Sequence, residues 1–179
     1  MRPRPEIIRL TPLGQLLRLP AMLLALAIVF LYARIWGRAP VAALFADAGA
    51  IVTLIIAYVL SIPAHEALHV FGFRRLGKAP PGSTRIRWAG LSAFTHCAVP
   101  VRAGAYRAAV ALPGVVLGVI PLAVGFATGL ALPALYGALL TGSAIGDIRV
   151  LLALRRVPAN ATVLFAAEHA GYEIVRQPE

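Results

Sequence analysis

Residues 48–73 read AGAIVTLIIAYVLSIPAHEALHVFGF, from Ala48 to Phe73. As a helix this run is ~39 Å long, against a hydrocarbon layer of roughly 30 Å. It can cross a bilayer and emerge on the far side. Near its end stand His65, Glu66 and His69, an HExxH pattern. Ionisable side chains are costly at that depth and point to a functional site by default. The stretch therefore implies both a membrane-spanning fold and a site built into it. Pro63 removes the hydrogen bond to the Val59 carbonyl and predicts a bend just before the motif.

The rest of the chain agrees with a membrane setting. It has 179 residues, of which 60% are hydrophobic and only 13% charged, and its mean hydropathy is +0.82. A soluble domain carries about 25% charged residues. No polar linker separates two hydrophobic blocks, which predicts one compact membrane domain. The net charge of +10 comes mainly from arginines, and these cluster beside the apolar runs, as the positive-inside rule describes. Anionic lipid headgroups are thus the expected partners of the charge, and nucleic acid is not. A single cysteine, Cys97, excludes an internal disulfide framework and a CxxC zinc ribbon.

These features predict an all-α polytopic membrane protein of about four transmembrane helices, with spans at 19–36, 48–73, 108–129 and 131–154. Residues 1–18 read as a cytoplasmic lead-in, 19–156 as the membrane domain and 157–179 as a cytoplasmic tail. The first span follows a basic segment, as a signal peptide does, but no clean small-x-small site follows it, so a membrane anchor is expected. Glycines four apart, Gly114 with Gly118 and Gly125 with Gly129, allow close helix packing in the third span. Between spans two and three, residues 84–88 alternate with period two, a turn at Ala89-Gly90 follows, and 91–97 form a weaker second strand. A small cytoplasmic β-hairpin or an irregular loop is expected there. Residues 161–166 are also strand-like, with a turn at Glu168-His169. Trp88 and Tyr106 suit an interfacial aromatic belt. The N-terminus, the 74–107 connection and the tail all carry arginine, so alternate crossings put all three on the cytoplasmic side.

On a helix, His65 and His69 lie about 40° apart in projection and ~6 Å apart along the axis, so both imidazoles reach one metal ion. Glu66 lies about 100° round from His65, where it flanks the metal and accepts a proton from water. Two neutral imidazoles, a carboxylate and an open position for water suit Zn2+. The bland alternative has the histidines bonded to backbone or serine and Glu66 in a buried ion pair. For a third protein ligand, Asp147 lies eight residues before Arg155, ~12 Å below the cytoplasmic face. His69 and His65, counted from Arg74, lie ~8 and ~14 Å below the same face. Asp147 is therefore the expected ligand, against the alternative of an ion pair with Arg149 or Arg155 or a helix-end contact. Asp47 belongs to the opposite face, and Glu168 and His169 require the tail to fold back. His96 and Cys97 lie on the correct side and stay open as a second rank of contacts or an alternative ligand.

With its HExxH at His65–His69, the Thr95-His96-Cys97 stretch, Leu112-Pro113-Gly114 and Gly146-Asp147-Ile148, the chain resembles the putative zincin peptidases, a bacterial family of small membrane proteins. The likeness runs from about Leu60 to Val157. In layout it is similar to the site-2 protease group of intramembrane metalloproteases, which takes its third ligand from an aspartate on a later membrane helix and so implies that role for Asp147. It departs from that group in having Gly-Asp-Ile where the group has an Asp-Gly pair, and in lacking an evident peptide-binding domain. The resemblance implies a zinc metalloendopeptidase of the bacterial cytoplasmic membrane, with Glu66 as general base and a membrane-protein or peptide substrate. A catalytically silent metal-binding adaptor or chaperone is the alternative of a different class, and a small transporter is weaker, because no inverted repeat is evident.

Overall fold

The computed structural model describes residues 6–9, 18–89, 92–166 and 171–175. Within them the apolar runs are helices. α1 spans Arg18–Trp36, α2 Ala39–Ala46 and α3 Ala48–Arg75. Asp47 divides α2 from α3 and caps the latter: its Oδ1 accepts from the amides of Gly49 and Ala50 at 2.8 and 3.2 Å, satisfying donors that a helix start leaves bare. α4 (Ala103–Pro113) runs through a π-helical stretch, Gly114–Val119, into α5 (Ile120–Thr128). The third segment thus begins at Ala103, ahead of the expected 108. α6 (Ala131–Ser143) and α7 (Ile145–Leu154) are separate helices broken at Ala144, where one span over 131–154 was expected. Three helical spans are long and apolar enough to cross a membrane, or four if α6 and α7 form one span. In the apolar windows of α1 and α3 only 6% of the residues are buried, and Leu23, Phe30, Ile55 and Leu60 stand exposed. Such surfaces need lipid rather than water, and the helices satisfy their own backbone groups there. The protein is a polytopic, mainly helical membrane protein with small antiparallel strand pairs.

The chain divides into two compact units. One is purely helical and takes in α1, α2, α3 as far as His65, and Pro113–Gly146. Tyr32, Leu44, Ala131, Ala134 and Leu135 form its buried cluster. Tyr32 is fully buried, and its hydroxyl donates to the Gly129 carbonyl. Gly129 closes α5 in the left-handed region at φ +74°, a conformation that favours glycine. A Cβ there would also lie 2.8 Å from the Trp36 ring. Glycines set the packing of α6 as well. A Cβ at Gly125 would lie 2.4 Å from the Ala134 amide nitrogen, and one at Gly137 2.5 Å from that of Leu122. The helices touch through backbone at those points. The close-packing glycines of the third span are therefore Gly118 and Gly125. Gly129 also packs closely, against Trp36, besides serving as the cap, and only Gly114 of the four has room, since a Cβ there would meet only the Ala144 Cβ, at 4.0 Å.

The second unit takes in Glu66–Leu112 and the chain from Asp147 on, together with an N-terminal strand. The strands are β1 (Glu6–Arg9), β2 (Thr84–Ala89), β3 (Ser92–Cys97), β4 (Val101–Arg102), β5 (Thr162–Ala166) and β6 (Gly171–Val175). β2 and β3 form the expected antiparallel hairpin, with Ile86 opposite Thr95 and Thr84 opposite Cys97. The other four form one antiparallel sheet in the order β1-β6-β5-β4. The turn at 168–169, half of that at 89–90, and the Trp88 side chain lie outside the described residues. Phe73, Cys97, Val101, Ala109, Leu154 and Val163 contribute to the core of this unit. Tyr106 belongs to that core too. It is 4% exposed and packs edge-on against Phe73, so it is a packing residue and not part of an interfacial belt. Arg107 donates to the carbonyls of Leu154 and Val157 at 2.8 and 2.7 Å, placing a cation at the C-terminal end of α7 and the turn that follows it.

Candidate metal centre

His65, Glu66 and His69 lie on one continuous helix, α3, so helical geometry alone fixes their mutual positions. Asp147 comes from the first turn of α7, where unpaired amides and the helix dipole favour a carboxylate. One ligand atom each from His65, His69 and Asp147 lie within 4.8 Å of one another. The break at Ala144 makes this helix start and puts the aspartate on it.

His69 is oriented from behind. Its Nδ1 is 3.1 Å from the carbonyl oxygen of Ala109 on α4. A carbonyl only accepts, so Nδ1 carries a proton and Nε2 is the nitrogen that faces the site. Two features make this bond available. In an α-helix the Ala109 carbonyl would accept from the residue four on, which is Pro113, and proline has no N–H. The second is Gly72, three residues after His69. A Cβ there would come within 2.8 Å of the Ala109 Cα, so α3 and α4 approach to backbone contact beside the imidazole.

His69 Nε2 faces Asp147 Oδ1 at 3.2 Å. With Nδ1 donating to the carbonyl, this contact is an ion pair when the ring carries a second proton, and a pair of ligand atoms for a cation when it does not. Zinc fits this donor set: two imidazoles and one carboxylate, oriented by a carbonyl behind. His69 is 6% exposed, which keeps bulk water from competing for its Nε2.

Glu66 is 5% exposed. Its Oε2 accepts a hydrogen bond from Thr95 Oγ1 on β3 at 2.6 Å. Successive residues of a strand face opposite ways, so Thr95 and Cys97 share a face and His96 takes the other. Accordingly, the His96 ring packs edge-on against Phe165 of β5, with centroids 5.2 Å apart. Cys97 is fully buried in the core with Phe73, and its Sγ lies 3.7 Å from the Val99 carbonyl oxygen. Burial pushes the thiol above its ordinary pKa. The structure thus brings Asp147 to the motif, while His96 and Cys97 lie outside the ligand group. Asp47 serves as the cap of α3.

Sequence reasoning assigned no role to Ala109 or Gly72, and it gave Thr95 and Pro113 no part in the metal site beyond the stretches that carry the family resemblance. Strand parity was an available signal, since only one parity of 92–97 can face α3. The Ala109 carbonyl left no side-chain signature to read. Only the proline four residues on marked it.

The sequence profile of a family described as putative zincin peptidase matches residues 58–162. That stretch covers the motif, the hairpin, α4 and Asp147. No curated protein and no solved structure matches the chain.

Proposed function

The chain belongs to the putative zincin peptidase family, and from that premise we propose that it is a zinc-dependent endopeptidase embedded in the bacterial cytoplasmic membrane. It hydrolyses peptide bonds of a membrane-protein or peptide substrate, in or near the cytoplasmic half of the bilayer. The observation that carries the reading is the convergence of His65, His69 and Asp147 ligand atoms within 4.8 Å, next to a buried Glu66. His65, His69 and Asp147 hold the ion. Zinc so held supplies a Lewis acid that acidifies water and polarises the scissile carbonyl. Glu66 takes a proton from the attacking water and delivers it to the leaving amine as the C–N bond breaks. Ala109 holds the His69 ring in the orientation that makes Nε2 the ligand atom.

The setting supports a cytoplasmic-side site. β1 precedes the first span, β4 precedes the third, and β5 and β6 follow the last, yet all four hydrogen-bond in one sheet. Pairing in one sheet supports a shared side for these segments, because a sheet is not expected to straddle the hydrocarbon layer. Arginine placement assigns that side to the cytoplasm, with both termini there.

The test is a comparison of purified wild type with Glu66→Gln for bound zinc and for cleavage of candidate membrane substrates. Zinc in both proteins and cleavage by the wild type alone is the expected result. Zinc in both without cleavage over a broad substrate set gives the silent metal-binding protein instead. Failure of the wild type to bind any transition metal overturns both readings.

A further inference from the structure

We infer that Thr95 is the positioning residue for Glu66, and that the β2–β3 hairpin is the part of the molecule that aims the carboxylate. This rests on the reading of Glu66 as general base. A threonine hydroxyl has one proton to give. Its two oxygen neighbours on α3 both belong to Glu66: Oε2 at 2.6 Å and the backbone oxygen at 3.3 Å. The shorter bond lies within the range of a hydroxyl donating to an ionised carboxylate, and such charge-assisted bonds are the stronger kind.

A glutamate carboxylate rotates freely about its last torsion, which has broad minima. A donor on Oε2 stops that rotation and leaves Oε1 to meet a water molecule. At 5% exposure, few solvent molecules are available to replace the lost donor. In such surroundings a made hydrogen bond orients strongly and a missing one is costly.

The donor is itself held. Thr95 stands opposite Ile86 in the hairpin register. The next residue, His96, packs on Phe165 of β5, and Cys97 beyond it is fully buried in the core. The backbone Ala98 N–H donates to the Ser83 carbonyl at 2.8 Å, closing the open end of the hairpin. A donor on a strand fixed at this many points holds a geometry that a loop does not. The hydrogen bond also works in reverse, with the carboxylate pinning β3 to α3.

The experiment uses the purified full chain with Thr95→Val, which removes the donor at nearly constant shape, and Thr95→Ser, which keeps it. With zinc loaded, Thr95→Val is expected to lower kcat roughly 10- to 100-fold, with KM within about twofold and zinc content unchanged. Thr95→Ser should restore most of kcat. A second measurement needs no activity: amide hydrogen exchange across 95–97 in metal-stripped protein. Thr95→Val and Glu66→Ala should speed exchange there, while Glu66→Gln, which keeps an acceptor oxygen, should not. A Thr95→Val enzyme with wild-type kcat overturns the inference. So does a Thr95→Ser enzyme as slow as the valine variant, or exchange unaltered in Glu66→Ala. If the wild type cleaves nothing, the peptidase reading fails by itself, and the exchange comparison still decides whether the Thr95–Glu66 bond holds β3.

Discussion

Gly72 shows how little tolerance the centre has at the level of single atoms. Any side chain there meets the Ala109 backbone at 2.8 Å, so α3 and α4 must part, and the His69–Ala109 bond at 3.1 Å lengthens with them. Gly72→Ala is expected to weaken zinc binding roughly tenfold or more, read by titration against a competing chelator. Unchanged affinity would show that the carbonyl does not govern the imidazole. Removing the carboxylate has a larger effect: Asp147→Ala should bind zinc substoichiometrically after dialysis, measured by metal analysis, and full occupancy would move the third ligand elsewhere. Cys97 should be inert. It is buried, and its thiol is held above the ordinary range by burial, so the reactive thiolate is scarce at about pH 8, where exposed cysteines alkylate readily. Maleimide labelling should stay near zero in folded protein and become complete on denaturation; rapid native labelling would contradict the buried placement. Much of this site was legible from residue types alone. The two histidines and the glutamate follow from spacing, and the depth argument placed Asp147 between the levels of His69 and His65. Thr95 and the Ala109 carbonyl were not legible, because their roles depend on which way a strand faces and on an N–H that a proline on another helix lacks.

Between elements, the tightest joint in the helical unit is that of α6 with α5 and the π-helical stretch. Gly125 and Gly137 bring backbone within 2.4–2.7 Å of an ideal added Cβ, closer than any real side chain sits. Gly125→Val or Gly137→Val should therefore lower thermal stability by about 1–3 kcal/mol through overpacking. A fluorescence-detected melt in detergent would check this, and a wild-type Tm would show that the helices separate at no cost. Glycine spacing in the sequence pointed to close packing but to different pairs. The contacts fall at Gly118, Gly125 and Gly137, with Gly129 used as a helix cap. The π-helical stretch explains the difference. Gly114–Val119 adds residues per turn, and Pro121 opens the first turn of α5, so a four-residue count across 114–129 drifts off the packed face. The break at Ala144 was hidden for a related reason. Hydropathy over 131–154 is continuous and carries no mark of a helix that ends and starts again.

At the scale of the whole chain, the four-stranded sheet ties distant parts of the sequence together. β1 pairs with β6 so that Ile8 lies opposite Tyr172, across nearly the full length of the protein. With Cys97 replaced by serine, Ile8→Cys plus Tyr172→Cys should form a disulfide under mild oxidation. A mobility shift reversed by reductant would register it, and failure to cross-link would contradict the register. Arginine placement grouped these segments on one side, but nothing in a strand as short as Glu6–Arg9 announced a partner so far away. Pairing of that kind is a tertiary choice, made by the edge that β6 offers. It also has a consequence for how the protein is made. β1 leaves the ribosome long before its only described partner strand, β6. β5 must likewise be present before β4 has its neighbour. Chains arrested before Gly171 would therefore insert their helices while β1 still waits for a partner. Until β6 is made, the nascent chain presents an open strand edge, a template for pairing with another chain before the sheet is complete.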